Sequence, residues 1–285
     1  MDASLTQLTR SAVIFGILAV LVSYIAYRRH FFRLPPSSQE TPPIRCPFMG
    51  AILALILLFF SGQAALLLWT RFFPLAGRHL SSFPFFTVTL THIFSLATLT
   101  VFLTLFALFQ PKGVVRNVVL GDAHFGSSWG FGMMSWLISF PTTACVYALA
   151  ALLTYLFFPT VDISQAAVVF LMQLKAFPRL FIVMMSAIIL AAPFFEEAIF
   201  RALLQNSLKR KMPFKYALLV SSLLFALLHM SPDQGWGNLP LTCSFFVFSL
   251  YLGFIYERKR SLLAPIALHM TFNSVNVMRI LLTSS

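Results

Sequence analysis

Long apolar runs separated by short basic or proline-bearing breaks dominate the chain. They cover residues 12–27, 48–69, 85–109, 131–158, about 180–208, 214–230, 239–256 and 262–282. Most approach the roughly 20 apolar residues that cross a ~30 Å hydrocarbon core, so the pattern predicts an all-α polytopic membrane protein with about eight transmembrane helices. The first run is short, but Arg28 and Arg29 follow it rather than a small-residue cleavage pattern. It reads as an uncleaved span. Pro35, Pro36, Pro42 and Pro43 make the next stretch a non-helical linker. Residues 111–132 read as a glycine-containing connection, and Pro141 as a kink in the fourth span. Residues 161–177 fit either an interfacial helix or the start of the next span. The sequence divides into N-terminal spans of unassigned role over 1–160 and a helix core over 161–285. No internal repeat is visible.

Composition agrees with this reading. The chain has 285 residues, 59% of them hydrophobic and only 10% charged, whereas soluble domains run at about 25% charged. Lysine and arginine outnumber acidic residues 20 to 8. The bases sit between the apolar runs, where topology places them. No basic stripe with interleaved aromatics is present, so nucleic acid is not an expected partner. Cys46, Cys145 and Cys243 are scattered and read as small apolar fillers. His92, in a threonine-rich stretch, reads as hydrogen-bonded packing.

With eight spans and the N-terminus outside, Arg28, Arg29, Arg33, Arg45, Lys112, Arg116, Arg201, Lys209, Arg210, Lys211, Lys215, Arg258, Lys259 and Arg260 fall on or near the cytoplasmic side. That is 14 of the 20 bases, as the positive-inside rule favours. The expected location is a multi-pass position in a bacterial inner membrane.

Three C-terminal runs carry polar residues that are costly in lipid. The first has Glu196, Glu197 and Arg201, the second Phe225 and His229, and the third His269 and Asn273. Glu197 and Arg201 are four apart and can pair on a helix, and His269 and Asn273 share one face by the same rule. Glu196 is about 100° around from Glu197 and faces elsewhere. Phe225 lies one turn from His229, where its ring can wall off the imidazole. Counted from Lys209, Lys215 and Arg260, Glu196, His229 and Asn273 lie ~20 Å up their helices, with His269 about one turn nearer the cytoplasm.

Two chemistries suit these groups. Glu196, His229 and His269 are a three-ligand set for a catalytic zinc. Alternatively, without metal, Glu196 and His229 activate water while His269 and Asn273 stabilise an oxyanion.

These motifs resemble the CPBP family of intramembrane proteases, also called ABI, which includes the type II CAAX prenyl endopeptidases. The family pattern of EExxxR, FxxxH and HxxxN is present in order, and GFIYERKRSLLAPIALHMTFNSV at 253–275 is similar to the family's last motif. The resemblance covers about 186–276. It implies a membrane endopeptidase with Glu196 as the catalytic glutamate and His229 as the water-activating histidine. His269 and Asn273 match the oxyanion pair, or metal ligands in a metalloprotease, and Glu197 with Arg201 a supporting pair. It implies zinc or no cofactor, and a peptide or protein substrate, lipidated in CAAX processing or bacteriocin-related. Membrane lipid is the other partner. Two other classes compete: a non-catalytic immunity or scaffold protein retaining the fold, and a proton-coupled transporter. The loop 231–240 after His229 is where access to the site is expected to vary, with Asp233 a solvated turn residue.

Overall fold

A computed structural model describes residues 3–35, 44–73, 84–121, 125–164 and 166–283. Pro36, Pro42 and Pro43 of the linker lie outside the described residues. Among those described there are helices and no strands: α1 (Ala3–Arg28), α2 (Pro47–Phe72), α3 (Pro84–Leu108), α4 (Val114–Leu120), α5 (Phe125–Phe157), α6 (Ala166–Leu174), α7 (Pro178–Lys209), α8 (Phe214–Leu227), α9 (Leu239–Lys259) and α10 (Leu263–Thr283). The protein is an all-α, multi-pass membrane protein.

Among the described residues, six helices are long and apolar enough to cross a bilayer: α1, α2, α3, α5, α7, and α9 with its preceding turn. The other two expected spans differ. Helix α8 has only 14 residues. Helix α10 has 21, but His269, Asn273, Asn276 and Arg279 interrupt its apolar sequence.

One expectation about glycine needs correction. The stretch 111–132 is no simple connection, since it contains α4 and the first turns of α5. Gly132 is a packing residue there: a Cβ would collide with the Ala264 carbonyl of α10. Gly62 does the same between α2 and α3, where a side chain would meet the Thr91 carbonyl. Its N–H donates to Ser95 Oγ at 3.1 Å. Pro141 lies buried inside α5, which runs through it as one 33-residue helix. Residues 161–177 contain a separate short helix, α6. It is cut off from α7 by Phe177, whose backbone (φ −123°, ψ 77°) is non-helical just before Pro178.

Hydroxyls inside the spans donate back to carbonyls of the preceding turn, as from Thr89 to Phe85 and Ser135 to Phe131. This satisfies them without water. His92 follows the same pattern, with Nδ1 3.1 Å from the Val88 carbonyl. The three cysteines are unbridged.

The bundle has one basic end. Arg258 donates to the carbonyls of His30, Phe31 and Arg33 beyond α1. Arg210 donates to Ile44 ahead of α2, and the Arg45 N–H to Gln110 beyond α3. Lys259 reaches Ser127 at the start of α5, and Ser261 reaches Val119 in α4. Lys209 at the end of α7 is paired with Glu257 at the end of α9, 2.6 Å apart. Bases that are distant in sequence therefore gather where these helices begin and end.

Candidate active site

The site is built on α7, whose α-helical turns are interrupted by π-helical turns at Ala187–Ala191 and Ala198–Gln205. Such insertions are rare and recur at functional sites. Glu196 and Glu197 lie between them.

Glu197 and Arg201 form a fully buried ion pair. Nε of Arg201 donates to Glu197 Oε2 at 3.0 Å, and both side chains are 0% exposed. Arg201 Nη2 donates to Ser249 Oγ on α9 at 2.9 Å. The other oxygen of Glu197 faces His269 of α10, with Oε1 2.9 Å from Nδ1. His229 lies just past the end of α8, and its Nδ1 is 2.7 Å from the Phe225 carbonyl.

These contacts settle the ring protons. A carbonyl can only accept, and so can the ionised carboxylate of an Arg-paired Glu197. Both Nδ1 atoms therefore carry hydrogen. In the neutral rings, both Nε2 atoms are left as lone pairs. They face the same atom: Glu196 Oε2 is 3.7 Å from His229 Nε2 and 3.8 Å from His269 Nε2. That oxygen is buried and has no hydrogen-bond partner. Three acceptors thus converge at distances too long for direct hydrogen bonds and short enough for one small donor, such as water, to reach more than one of them.

Aromatic rings wall the cluster. Phe225 lies 4.5 Å from the His229 ring, 6.0 Å from that of His269, and 5.4 Å beneath the Arg201 guanidinium. Phe245 and Phe248 of α9 meet the edges of His229 and His269. Glu196 stays 18% exposed and His229 29%, so one side is open.

Asn273 is placed differently from the other polar residues. Its Nδ2 donates to the Ile188 carbonyl in the first π turn at 2.9 Å, tying α10 to α7. It is His269, one turn nearer the basic end, that meets the glutamate pair. The expected level of Asn273 assumed continuous α-helices. The π turns between Glu196 and Lys209 rise less per residue, which lowers Glu196 toward the level of His269.

A zinc site with ~2.1 Å bonds needs ligand atoms about 3.4 Å apart. The separations to Glu196 are wider, and no group of three or more His, Cys, Asp or Glu among the described residues is arranged to hold a metal ion.

The loop after His229 is a tight turn over Pro232–Asn238. Asn238 closes it through the N–H and carbonyl of Ser231. Trp236 stacks on Phe158 at 5.0 Å, and Gln234 donates to the Ser164 carbonyl. Asp233 is exposed, as a turn residue should be. Nearby Asp162 is held below the usual carboxylate range by hydrogen bonds from Ser164.

Some partners had no motif to mark them. Ser249, Gly253 and Tyr256 form a small and polar stripe on α9 at helical spacing, facing Arg201, Gln205 and Asn206. That spacing was the available signal. Around the site, five buried polar atoms lack partners: Glu196 Oε2, Arg201 Nη1, Gln205 Oε1 and Asn206 Oδ1 on α7, and Ser222 Oγ on α8. Left unmade, each costs about 1–3 kcal/mol. Together they would rival a total stability of about 5–15 kcal/mol.

The multi-pass bundle thus carries a carboxylate between two oriented imidazoles. Residues 178–275 match the family model of the type II CAAX prenyl endopeptidases, Rce1-like. The match bears out the family resemblance of the three motifs, and it suggests CAAX-type intramembrane protease activity on a peptide or prenylated protein. No curated protein and no solved structure gives a significant match.

Proposed function

We propose that this protein is an intramembrane endopeptidase whose nucleophile is a water held by Glu196 and His229. The carrying observation is the convergence of Glu196 Oε2 with two Nε2 atoms whose tautomers are fixed from behind. A water on the open side donates to both Glu196 Oε2 and His229 Nε2. Glu196 takes its proton as the oxygen attacks the peptide carbonyl, and the carbonyl becomes an alkoxide. The C–N bond then breaks as that proton passes to the leaving amine.

His269 supports the alkoxide only as an imidazolium, because Nδ1 already serves Glu197. The Glu197 carboxylate directly behind stabilises that charge, and Arg201 and Ser249 hold Glu197 in place. Asn273 has a second amide N–H free to donate beside the one given to Ile188. No step requires a metal, and the substrate class favoured by the family match is a prenylated peptide. The basic end faces the cytoplasm on the positive-inside rule.

The test uses the purified full-length protein in liposomes, with a farnesylated peptide carrying a C-terminal CAAX sequence as probe. Wild type should release the terminal tripeptide, His229→Ala should not, and chelator should leave the rate unchanged. Loss of activity in chelator, restored by zinc, would overturn the metal-free mechanism.

A further inference from the structure

Hydrolysis inside a membrane consumes water, and α7–α9 carry a buried polar stripe that the catalytic groups do not use. It runs from Arg201 through Gln205 and Asn206 toward the Lys209–Glu257 pair at the basic end. Arg201 and Gln205 are 0% exposed and Asn206 8%. Each carries an unpartnered polar atom beside bonded ones: Arg201 Nη1 beside Nε and Nη2, Gln205 Oε1 beside Nε2, and Asn206 Oδ1 beside Nδ2. Across from them, α8 presents Ser222, 0% exposed with Oγ unpartnered. Ser222 lies on the same face as Leu218, Phe225 and His229 by helical spacing. Leu218 faces Gly253 of α9, and Phe225 packs on Phe200 of α7. Donors and acceptors are mixed along the stripe, and none of the four unpartnered atoms bonds another. This is the chemistry of groups bridged by water, since lipid offers no hydrogen bonds and buried polar atoms are otherwise satisfied.

We propose that the α7–α8–α9 interface binds a file of waters bridging Arg201 Nη1, Gln205 Oε1, Asn206 Oδ1 and Ser222 Oγ, and that it connects the basic end with the site. At its upper end the file reaches Arg201, whose other nitrogens hold Glu197 and Ser249. At its lower end stands Lys209, 23% exposed. Its role in supplying the nucleophile rests on the hydrolytic reading. Its existence does not.

Two measurements test it. The first is an experimental map of the wild-type full chain in lipid nanodiscs, at a resolution that shows ordered water. Peaks within hydrogen-bonding distance of Arg201 Nη1, Gln205 Oε1 and Ser222 Oγ are expected. Direct pairing of these atoms with protein groups, with no water between, overturns the proposal whether or not the protein cleaves peptide. The second compares Ser222→Ala, which leaves room for water, with Ser222→Val, which fills it. Cleavage of the farnesylated peptide should fall about tenfold in kcat, with KM unchanged, in the valine variant alone. Equal kcat in the two variants, in folded protein, overturns the supply role.

Discussion

Breaking the Glu197–Arg201 pair should separate stability from catalysis. Both side chains are fully buried, and the pair has two further anchors, Ser249 and His269. Arg201→Met leaves a carboxylate buried without its counter-charge. Breaking a buried pair from one side costs about 3–5 kcal/mol. At roughly 2–4 °C per kcal/mol for a chain of this order, the apparent Tm should fall by about 6–20 °C. Replacing both residues, Glu197→Leu with Arg201→Met, removes both charges and should recover most of that loss, because an apolar pair of similar volume is often as stable as the ion pair. Activity should not recover with it. His269 then has no acceptor for Nδ1, nothing fixes its tautomer, and its imidazolium has no carboxylate behind it. Loss of such an outer partner costs about 10–100-fold in activity. The assay is thermal unfolding of detergent-solubilised protein at one fixed scan rate, because unfolding of such proteins is commonly irreversible, alongside cleavage of the farnesylated peptide. A single variant that melts with wild type would refute the energetic argument. A double variant with wild-type kcat would refute the positioning role of Glu197.

Other expectations are simpler. Phe225→Ala removes a ring that packs on both histidines and Arg201, and should destabilise by about 3–5 kcal/mol as well as lowering activity; thermal unfolding checks the first effect and peptide cleavage the second. Gly132→Ala drives a methyl into the Ala264 carbonyl and should cost about 1–3 kcal/mol, read as a lower Tm, while Gly130→Ala, in the same helix, where a Cβ meets nothing within 4 Å, should hold Tm or raise it slightly. Asn273→Ala unties α10 from the Ile188 carbonyl; if its second N–H supports the alkoxide, kcat should fall by about 10²-fold with KM little changed, in the cleavage assay.

Much of this architecture is legible in the sequence, because apolar run length reports spans directly. The pair at Glu197 and Arg201 follows from a four-residue spacing, and the stack of Phe225 on His229 does too. The partners of His269 depend on relative helix height. Rise per residue gave that height only if every helix were uniform, and the π stretch at Ala198–Gln205, between Glu196 and Lys209, breaks the assumption. Nothing in AAPFFEEAIFR announces a π turn. Ser249 was invisible for a related reason: one serine in an apolar helix ordinarily bonds its own backbone, and only the tertiary contact shows it receiving Arg201. Gly132 misled in the opposite direction. A glycine between two apolar stretches looks like a break until the Ala264 carbonyl is seen where its side chain would be.

The most direct test of the central claim is Glu196→Gln. Glu196 Oε2 takes no part in the hydrogen bonds that hold the helices, so the variant should fold and melt like wild type. It should lower kcat for the farnesylated peptide by about 10²–10⁴-fold, because an amide cannot take the proton from water. Cleavage at the wild-type rate by well-folded Glu196→Gln protein would contradict the account.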